Sequence, residues 1–330
     1  MEFGAWNLYS FISPHFNLLS TMRIYRQISE FKSHCNPVAT VGVFDGVHRG
    51  HLEIISRLLA VAKEKKCESV IITFDPHPKL VLPHNAEVRL LQTLDEKLKR
   101  FELAGVDVVL VIPFDLAFAK ITPHDFIKNV LVDQIKVSHV ITGYDHFFGQ
   151  NRQGDFDMLS KMGRESGFTV DELPMVLIAE HTVSSSIVRR ALLDGDVKLA
   201  ATMLGYAYEM TGLVVAGNKI GRNIGYPTAN LKLTYKHKLV PGQGVYATLV
   251  KINDSVFKAM TNIGYRPTID ADRLTIEANI FDFNQDLYEK EITLIFVERI
   301  RDEKRFASLG DLQFQLASDK ITAGKILEDF

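Results

Sequence analysis

The sequence predicts an α/β chain in two parts: a parallel sheet covered by helices, then an antiparallel barrel or sandwich. Three observations predict it. From about Pro37 to Leu204, short β-branched runs alternate with helical periodicity, the pattern of a parallel sheet wrapped on both faces. After about Tyr206, strand-like runs follow one another with Gly, Asn, Asp and Pro between them and no helix. The chain has 330 residues, which at roughly 150 residues per domain is room for two cores.

Taken in order, residues 1–21 are aromatic-rich, lack the basic start and unbroken apolar core of a signal peptide, and form an extension of uncertain role. Met22 opens "MRIYRQISEF", which reads as the start of a folded domain. "PVATVGVF" (37–44) is an apolar strand that ends near Phe44, and a helix begins near Gly50 or His51. That helix carries an apolar face of Leu52, Ile55, Leu58, Leu59 and Ala62. "SVIITF" (69–74), "DVVLVI" (107–112) and "SHVITG" (138–143) are further buried strands, with "LDEKLKRFELA" a helix between the first two. Pro123 stands at a first helical position behind Thr122 as cap. In the second part "TGLVVAGN", "GVYATLVKIN", "SVFKAMTNIG", "LTIEANIFDF" and "EITLIFVERI" are strands, and "LGDLQFQLASDKITAGKIL" is a terminal helix. The change of period puts the boundary between 204 and 205.

Composition narrows the function classes. An apolar fraction of 46% and a charged fraction of 24% exclude large-scale disorder. A net charge of −2 gives no electrostatic reason to expect nucleic acid or an anionic membrane. The two cysteines, Cys35 and Cys67, form no CxxC and suit a reducing compartment rather than a disulfide scaffold. No uncharged apolar run reaches the roughly 18 residues of a membrane span. The expectation is a cytoplasmic chain without nucleic-acid or membrane partner, monomeric or weakly homo-oligomeric.

The chemistry of the first part gathers around "VGVFDGVHRGH" (41–51). Asp45-Gly46 supplies a bend, and the helix that follows exposes free N–H groups and a partial positive charge, a ready anion site. His48 and His51 at that end could donate to phosphate oxygens as charge builds on them. Spacing alone leaves three readings open: phosphate contact, a metal pair without an evident third ligand, and structural histidines. "TGYDHFFGQNRQGD" (142–155) is either a ligand loop or a polar turn. "VSSSIVRRALLDGD" (183–196) places Ser184, Ser185 and Ser186 before a helix they could simply cap, with Arg189 one turn in.

"GVFDGVHRGH", "GYDHFFG" and "SSSIVRRAL" together resemble the N-terminal domain of bacterial bifunctional riboflavin kinase/FAD synthetases, and His48-Arg49-Gly50-His51 fits the HxGH signature of that nucleotidyltransferase superfamily. The resemblance implies a Rossmann-like domain over 22–204 that transfers the adenylyl group of ATP to FMN, releasing pyrophosphate. It assigns His48, His51 and Arg189 to catalysis at the phosphates. It assigns Gly42, Phe44, Asp45, Gly50, Gly143, Asp145, Ser185 and Ser186 to nucleotide or flavin binding, with Gly50 giving ATP room to approach. The family often has Thr at Ser186; a hydroxyl is kept.

In the second part "GNKIGRNIGYPTANL" (217–231) is rich in Gly but contains no GxxxxGK[ST], so it is no P-loop. Gly217, Gly221 and Gly225 let backbone approach a ligand or simply shape a barrel loop. Thr228 and Asn230 offer neutral oxygens of the kind Mg²⁺ accepts when phosphates supply the charge. Glu277 reads, on alternation alone, as the outward residue between Ile276 and Ala278. "PTAN", "PGQGVYA", "NIGYRPT", "TIEANIFDF" and "RDEKRF" are similar to the riboflavin kinase domain. This implies a six-stranded barrel with a C-terminal helix over 205–330, phosphorylating riboflavin to FMN with MgATP and leaving ADP. Glu277 then aligns with the catalytic base and Thr228 and Asn230 with the Mg²⁺ ligands. Gly217, Gly221, Arg222, Gly225, Pro227 and Arg301 align with nucleotide or flavin contacts. Two departures are visible: Asn279 where the family commonly has His, and Glu289 where Leu-Tyr is commonly followed by Gly. The competing functions are an HxGH adenylyltransferase for another phosphorylated substrate, or one domain acting as a silent flavin-binding module.

Overall fold

The computed structural model describes residues 22–83, 87–144, 147–150, 153–178, 181–217, 221, 224–266 and 273–330. The expected site residues Asp145 and Arg222 lie outside the described residues. Two compact units divide between Ser185 and Ser186.

In the first unit six strands form one sheet: β1 (Arg23–Tyr25), β2 (Val38–Val41), β3 (Ser69–Asp75), β4 (Val108–Pro113), β5 (His139–Gly143) and β6 (Thr169–Leu173). Their spatial order is β1-β4-β3-β2-β5-β6, and every pair is parallel. Parallel strands need crossovers, and α1 (Arg49–Lys65), α2 (Pro78–Val81), α3 (Leu94–Leu103), α4 (Pro123–Asp125) and α5 (Phe156–Ser166) lie in them. Apolar cores fill both sides of the sheet: one set of buried residues includes Ile55, Leu58, Leu98 and Phe101, the other Ile127, Leu131, Leu159 and Phe168. After β2 the chain moves one way to β3, and β5 lies on the other side of β2. The switch point is therefore at the carboxyl ends of β2 and β5, where open α/β sheets bind ligands.

Three details differ from the sequence reading. β2 ends at Val41 and α1 begins at Arg49, because the chain turns into left-handed backbone at Phe44 before the helix can start. The Thr122 hydroxyl does accept the Asp125 amide, but the helix continues from Phe126 to Ile135 in π form. The helices α6 (Ser185–Leu193) and α7 (Val197–Leu204) were expected wholly within the first domain. Beyond Ser185 they count with the second unit: the Gly242 amide donates to the Leu192 carbonyl at 2.8 Å, and Lys198 pairs with Glu298 at 3.0 Å. β7 (Leu177–Ile178) and β8 (His181–Thr182) form a small antiparallel pair.

The second unit is a closed barrel of β9 (Glu209–Val215), β10 (Ala229–Leu233), β11 (Gly244–Ile252), β12 (Ser255–Arg266), β13 (Arg273–Ile280) and β14 (Glu291–Arg301), all antiparallel. Closure leaves no exposed sheet edge. The terminal α8 (Leu309–Ile326) covers one flank, its Ala323 buried with Ala247, Leu249 and Met260. Arg301 makes a two-nitrogen contact with the buried Asp319 of α8, at 3.0 and 2.7 Å. Glu289, at the departure from the family's glycine, keeps the turn by taking φ 62°, and its amide still reaches the Val214 carbonyl at 2.9 Å. Left-handed backbone costs a residue with a Cβ about 1 kcal/mol relative to glycine. Glu289→Gly is therefore expected to raise the melting temperature by a few degrees, measured by thermal denaturation. A lower melting temperature would mean that the Glu289 side chain supports the turn.

Candidate active sites on the two units

At the first site the turn between β2 and α1 is built by left-handed residues: Phe44 at φ 53°, Gly46 at 90° and Val47 at 32°. Glycine adopts this freely; a β-branched valine does so only when its surroundings compel it. Gly42 starts the turn, donating to the Ile72 carbonyl at 3.0 Å, and a Cβ there would strike the Phe44 ring. The Asp45 carboxylate is buried and accepts the amides of Leu91 at 3.0 Å and Gln92 at 3.2 Å. Asp45 was expected to contact ligand; its carboxylate holds the turn to the 91–92 segment. The Ser185 hydroxyl, expected at the phosphates or as a helix cap, donates to the Asp45 carbonyl at 2.8 Å.

The histidines meet at the start of α1. His48 is the N-cap, its Nδ1 accepting the His51 amide at 3.4 Å. The two rings stack at 3.6 Å between centroids and 14° between planes. Phe44 packs edge-on against His51 at 5.0 Å and against Phe101 at 5.5 Å, so it buttresses a histidine. At Gly50 a Cβ would sit 3.3 Å from the His48 ring and 3.6 Å from the Val183 carbonyl. The Nδ1 of His51 is buried without a hydrogen-bond partner among the described residues. Buried polar atoms rarely stay unpaired, so this one is suited to a ligand. Burial, then the neighbouring His48 and Lys97 charges, push the His51 pKa well below its usual value. Gly143 ends β5 at the same sheet edge. Ser186 and Arg189 follow Ser185 on α6, Arg189 one turn along.

Lys97 was missed by the sequence reading. It is 6% exposed, and its Nζ donates to the Val43 carbonyl at 2.9 Å and the Thr73 hydroxyl at 3.2 Å. The signal was available: Lys97 falls on the stripe of Leu94, Leu98 and Phe101, where an amphipathic helix should be apolar.

At the second site strand register does the positioning. On β10 and β13, Asn230 stands opposite Glu277, and on β12 Asn262 stands opposite Glu277 from the other side. Directly opposed residues share one face, so the three polar side chains form a row across three strands. Gly217 lies against the Asn230 amide, where a Cβ would collide with it. Gly221 accepts the amides of Ile224 at 3.2 Å and Tyr226 at 2.7 Å, closing the loop, and Gly225 takes φ 85°. Thr228 precedes β10 directly, and Asn279 donates its Nδ2 to the Pro227 carbonyl at 2.7 Å. Where the family commonly has His, this chain thus ties the Thr228 loop to the strand of Glu277. Arg301 is committed to Asp319. Among the described residues no group of three His, Cys, Asp or Glu gathers for a metal ion. The neutral oxygens of Thr228 and Asn230 fit an ion whose charge is met by phosphates.

Residues 30–187 match the family described as FAD synthetase, and residues 204–327 the family described as riboflavin kinase. A bifunctional riboflavin kinase/FMN adenylyltransferase of Escherichia coli K12 is 38% identical over 288 residues, 87% of this chain and 91% of that protein. Its counterpart in Bacillus subtilis is 36% identical over 288 residues, 86% of this chain and 90% of that protein. Among solved structures, one described as a macrolide-efflux protein from Streptococcus pneumoniae superposes with a TM-score of 0.84 at 30% identity, covering 92% of this chain and 98% of that one.

The depressed His51 pKa sets a pH dependence. Unfolded, His51 titrates near 6.5; folded, it stays neutral to lower pH. Below pH 6.5 the unfolded chain binds more protons, so the stability present above that pH is lost as the pH falls. The melting temperature of the first unit is expected to drop between pH 7.5 and 5, and to drop less in His51→Gln. Equal drops would show that His51 does not carry the effect.

Proposed function

The chain belongs to the family of bifunctional riboflavin kinase/FMN adenylyltransferases, and from that premise we propose how its residues divide the two reactions. It phosphorylates riboflavin to FMN and adenylylates FMN to FAD. Adenylyl transfer belongs to 22–204 and phosphorylation to 205–330.

In the first reaction the riboflavin 5′-hydroxyl attacks the γ-phosphorus of ATP. Glu277 accepts its proton and ADP departs. The observation that carries this reading is the row Asn230–Glu277–Asn262, which puts a carboxylate beside the PTAN segment. Thr228 and Asn230 hold Mg²⁺, which when bound offsets the charge on the transferring phosphate. Gly217, Gly221 and Gly225 admit the nucleotide, with Arg222 and Pro227 beside it; Arg301 acts through Asp319 by fixing α8.

In the second, an FMN phosphate oxygen attacks the α-phosphorus of ATP, the bond to the β-phosphate oxygen breaks, and pyrophosphate leaves. No protein nucleophile is needed, so catalysis is positioning and charge stabilisation. The stacked His48 and His51 at the α1 N-terminus support this reading most directly. Their ring N–H groups donate to the phosphate oxygens and meet the charge that develops there. Ser185 positions Asp45 through its carbonyl. Ser186 and Arg189 are assigned to the phosphates on the likeness of their segment, and Gly143 and Asp145 to the flavin or nucleotide on the same ground.

No helix among the described residues is long and apolar enough to cross a membrane. The near-neutral net charge gives no electrostatic pull toward nucleic acid or an anionic membrane, in keeping with an enzyme of small-molecule substrates.

Chromatography of flavins from purified protein tests the division. Glu277→Ala is expected to cut FMN formation at least about a hundredfold while still converting supplied FMN to FAD. The double variant His48→Ala, His51→Ala is expected to do the reverse. Loss of both reactions in folded Glu277→Ala would contradict separate sites.

A further inference from the structure

We propose that Lys97 is a positioning residue for adenylyl transfer: its buried ammonium pins the Val43 carbonyl and so sets the turn that presents His48 and His51 to the nucleotide. The proposal rests on reading that turn as the adenylyl-transfer site.

Three observations carry it. First, lysine is among the residues least often buried, and an apolar side chain would satisfy the Leu94–Leu98–Phe101 stripe better. A charge kept there is kept despite its desolvation. Second, both acceptors of the ammonium converge on one atom. Lys97 donates to the Val43 carbonyl, and the Thr73 hydroxyl that also accepts from Lys97 itself reaches that carbonyl at 3.3 Å. Val43 is the residue before the first left-handed position, Phe44. Fixing its carbonyl fixes the peptide plane from which the turn departs. Third, Phe44 is the ring that supports His51, so a shift at Val43 is passed to the histidine pair by direct packing.

The ionisable groups facing Lys97 are Asp45 of the turn, Asp75 at the end of β3 and His51 of α1. Burial lowers the Lys97 pKa to about 8, with Asp45 and Asp75 pulling the other way. The anchor therefore weakens just above neutral pH, which gives it a signature that mere packing lacks.

The test follows kcat/KM for ATP in FAD formation from supplied FMN between pH 6.5 and 9.5, with riboflavin phosphorylation by the same protein as control. Wild-type protein is expected to show a falling limb with its midpoint near pH 8 in FAD formation and none in phosphorylation. Thr73→Val, which removes one acceptor of the ammonium, should move that limb to lower pH. Lys97→Met should lower kcat for FAD formation at least tenfold, abolish the limb, and leave KM for FMN and the kinase rate unchanged. A wild-type profile without the limb, a limb unmoved in Thr73→Val, or full FAD formation by Lys97→Met would each overturn the proposal. Should Lys97→Met not fold, the wild-type and Thr73→Val profiles decide alone. Failure of the underlying reading looks different: wild-type protein would then make no FAD, or the His48→Ala, His51→Ala variant would make it normally.

Discussion

The turn between β2 and α1 exists only because it is held at several points against its own backbone preference. Phe44 and Val47 occupy left-handed conformations that cost on the order of 1–3 kcal/mol each. The opposing ties are the Lys97 ammonium on Val43, the amides of Leu91 and Gln92 on the Asp45 carboxylate, and the Ser185 hydroxyl on the Asp45 carbonyl. They come from two stretches of chain distant from the turn, residues 91–97 and Ser185, so the geometry of His48 and His51 is a property of the folded unit. Placed at the switch point of a parallel sheet, that turn turns backbone strain into a fixed pair of imidazoles at a helix N-terminus.

The barrel reaches the same end by another route. There the functional residues need no strained turn, because antiparallel register places Asn230 and Asn262 on either side of Glu277. A one-residue slip of β13 would turn Glu277 away from both asparagines, and closure of the barrel opposes such a slip. What remains adjustable is the loop before β10, which Asn279 fixes through the Pro227 carbonyl. The histidine turn is thus positioned by loop anchors and the Asn230–Glu277–Asn262 row by strand pairing.

Much of this was legible in the sequence. The parallel sheet announced itself through alternating period, the barrel through strands without helices, and the histidine pair through its place after a strand and before a helix. The illegible parts are those decided by contacts distant in sequence. Nothing local says that β2 stops at Val41, because left-handed backbone at Phe44 is enforced from outside the segment. Asp45 was legible as part of a bend, but not its partners, Leu91 and Gln92, over forty residues away. The departure at Glu289 was visible, but not that the chain would keep the glycine-like conformation. Lys97 was overlooked because a lysine in a helix is ordinarily a surface residue, although its place on an apolar stripe set it apart.

The central claim is that two chemically distinct attacks on ATP, at the γ- and the α-phosphorus, occur on one chain. Incubation of the protein with riboflavin, Mg²⁺ and ATP labelled at one phosphorus or the other tests it most directly. γ-Label is expected to enter FMN and persist in FAD, and α-label to enter FAD alone. Label from the α-phosphorus in FMN, or FAD without it, would contradict the account.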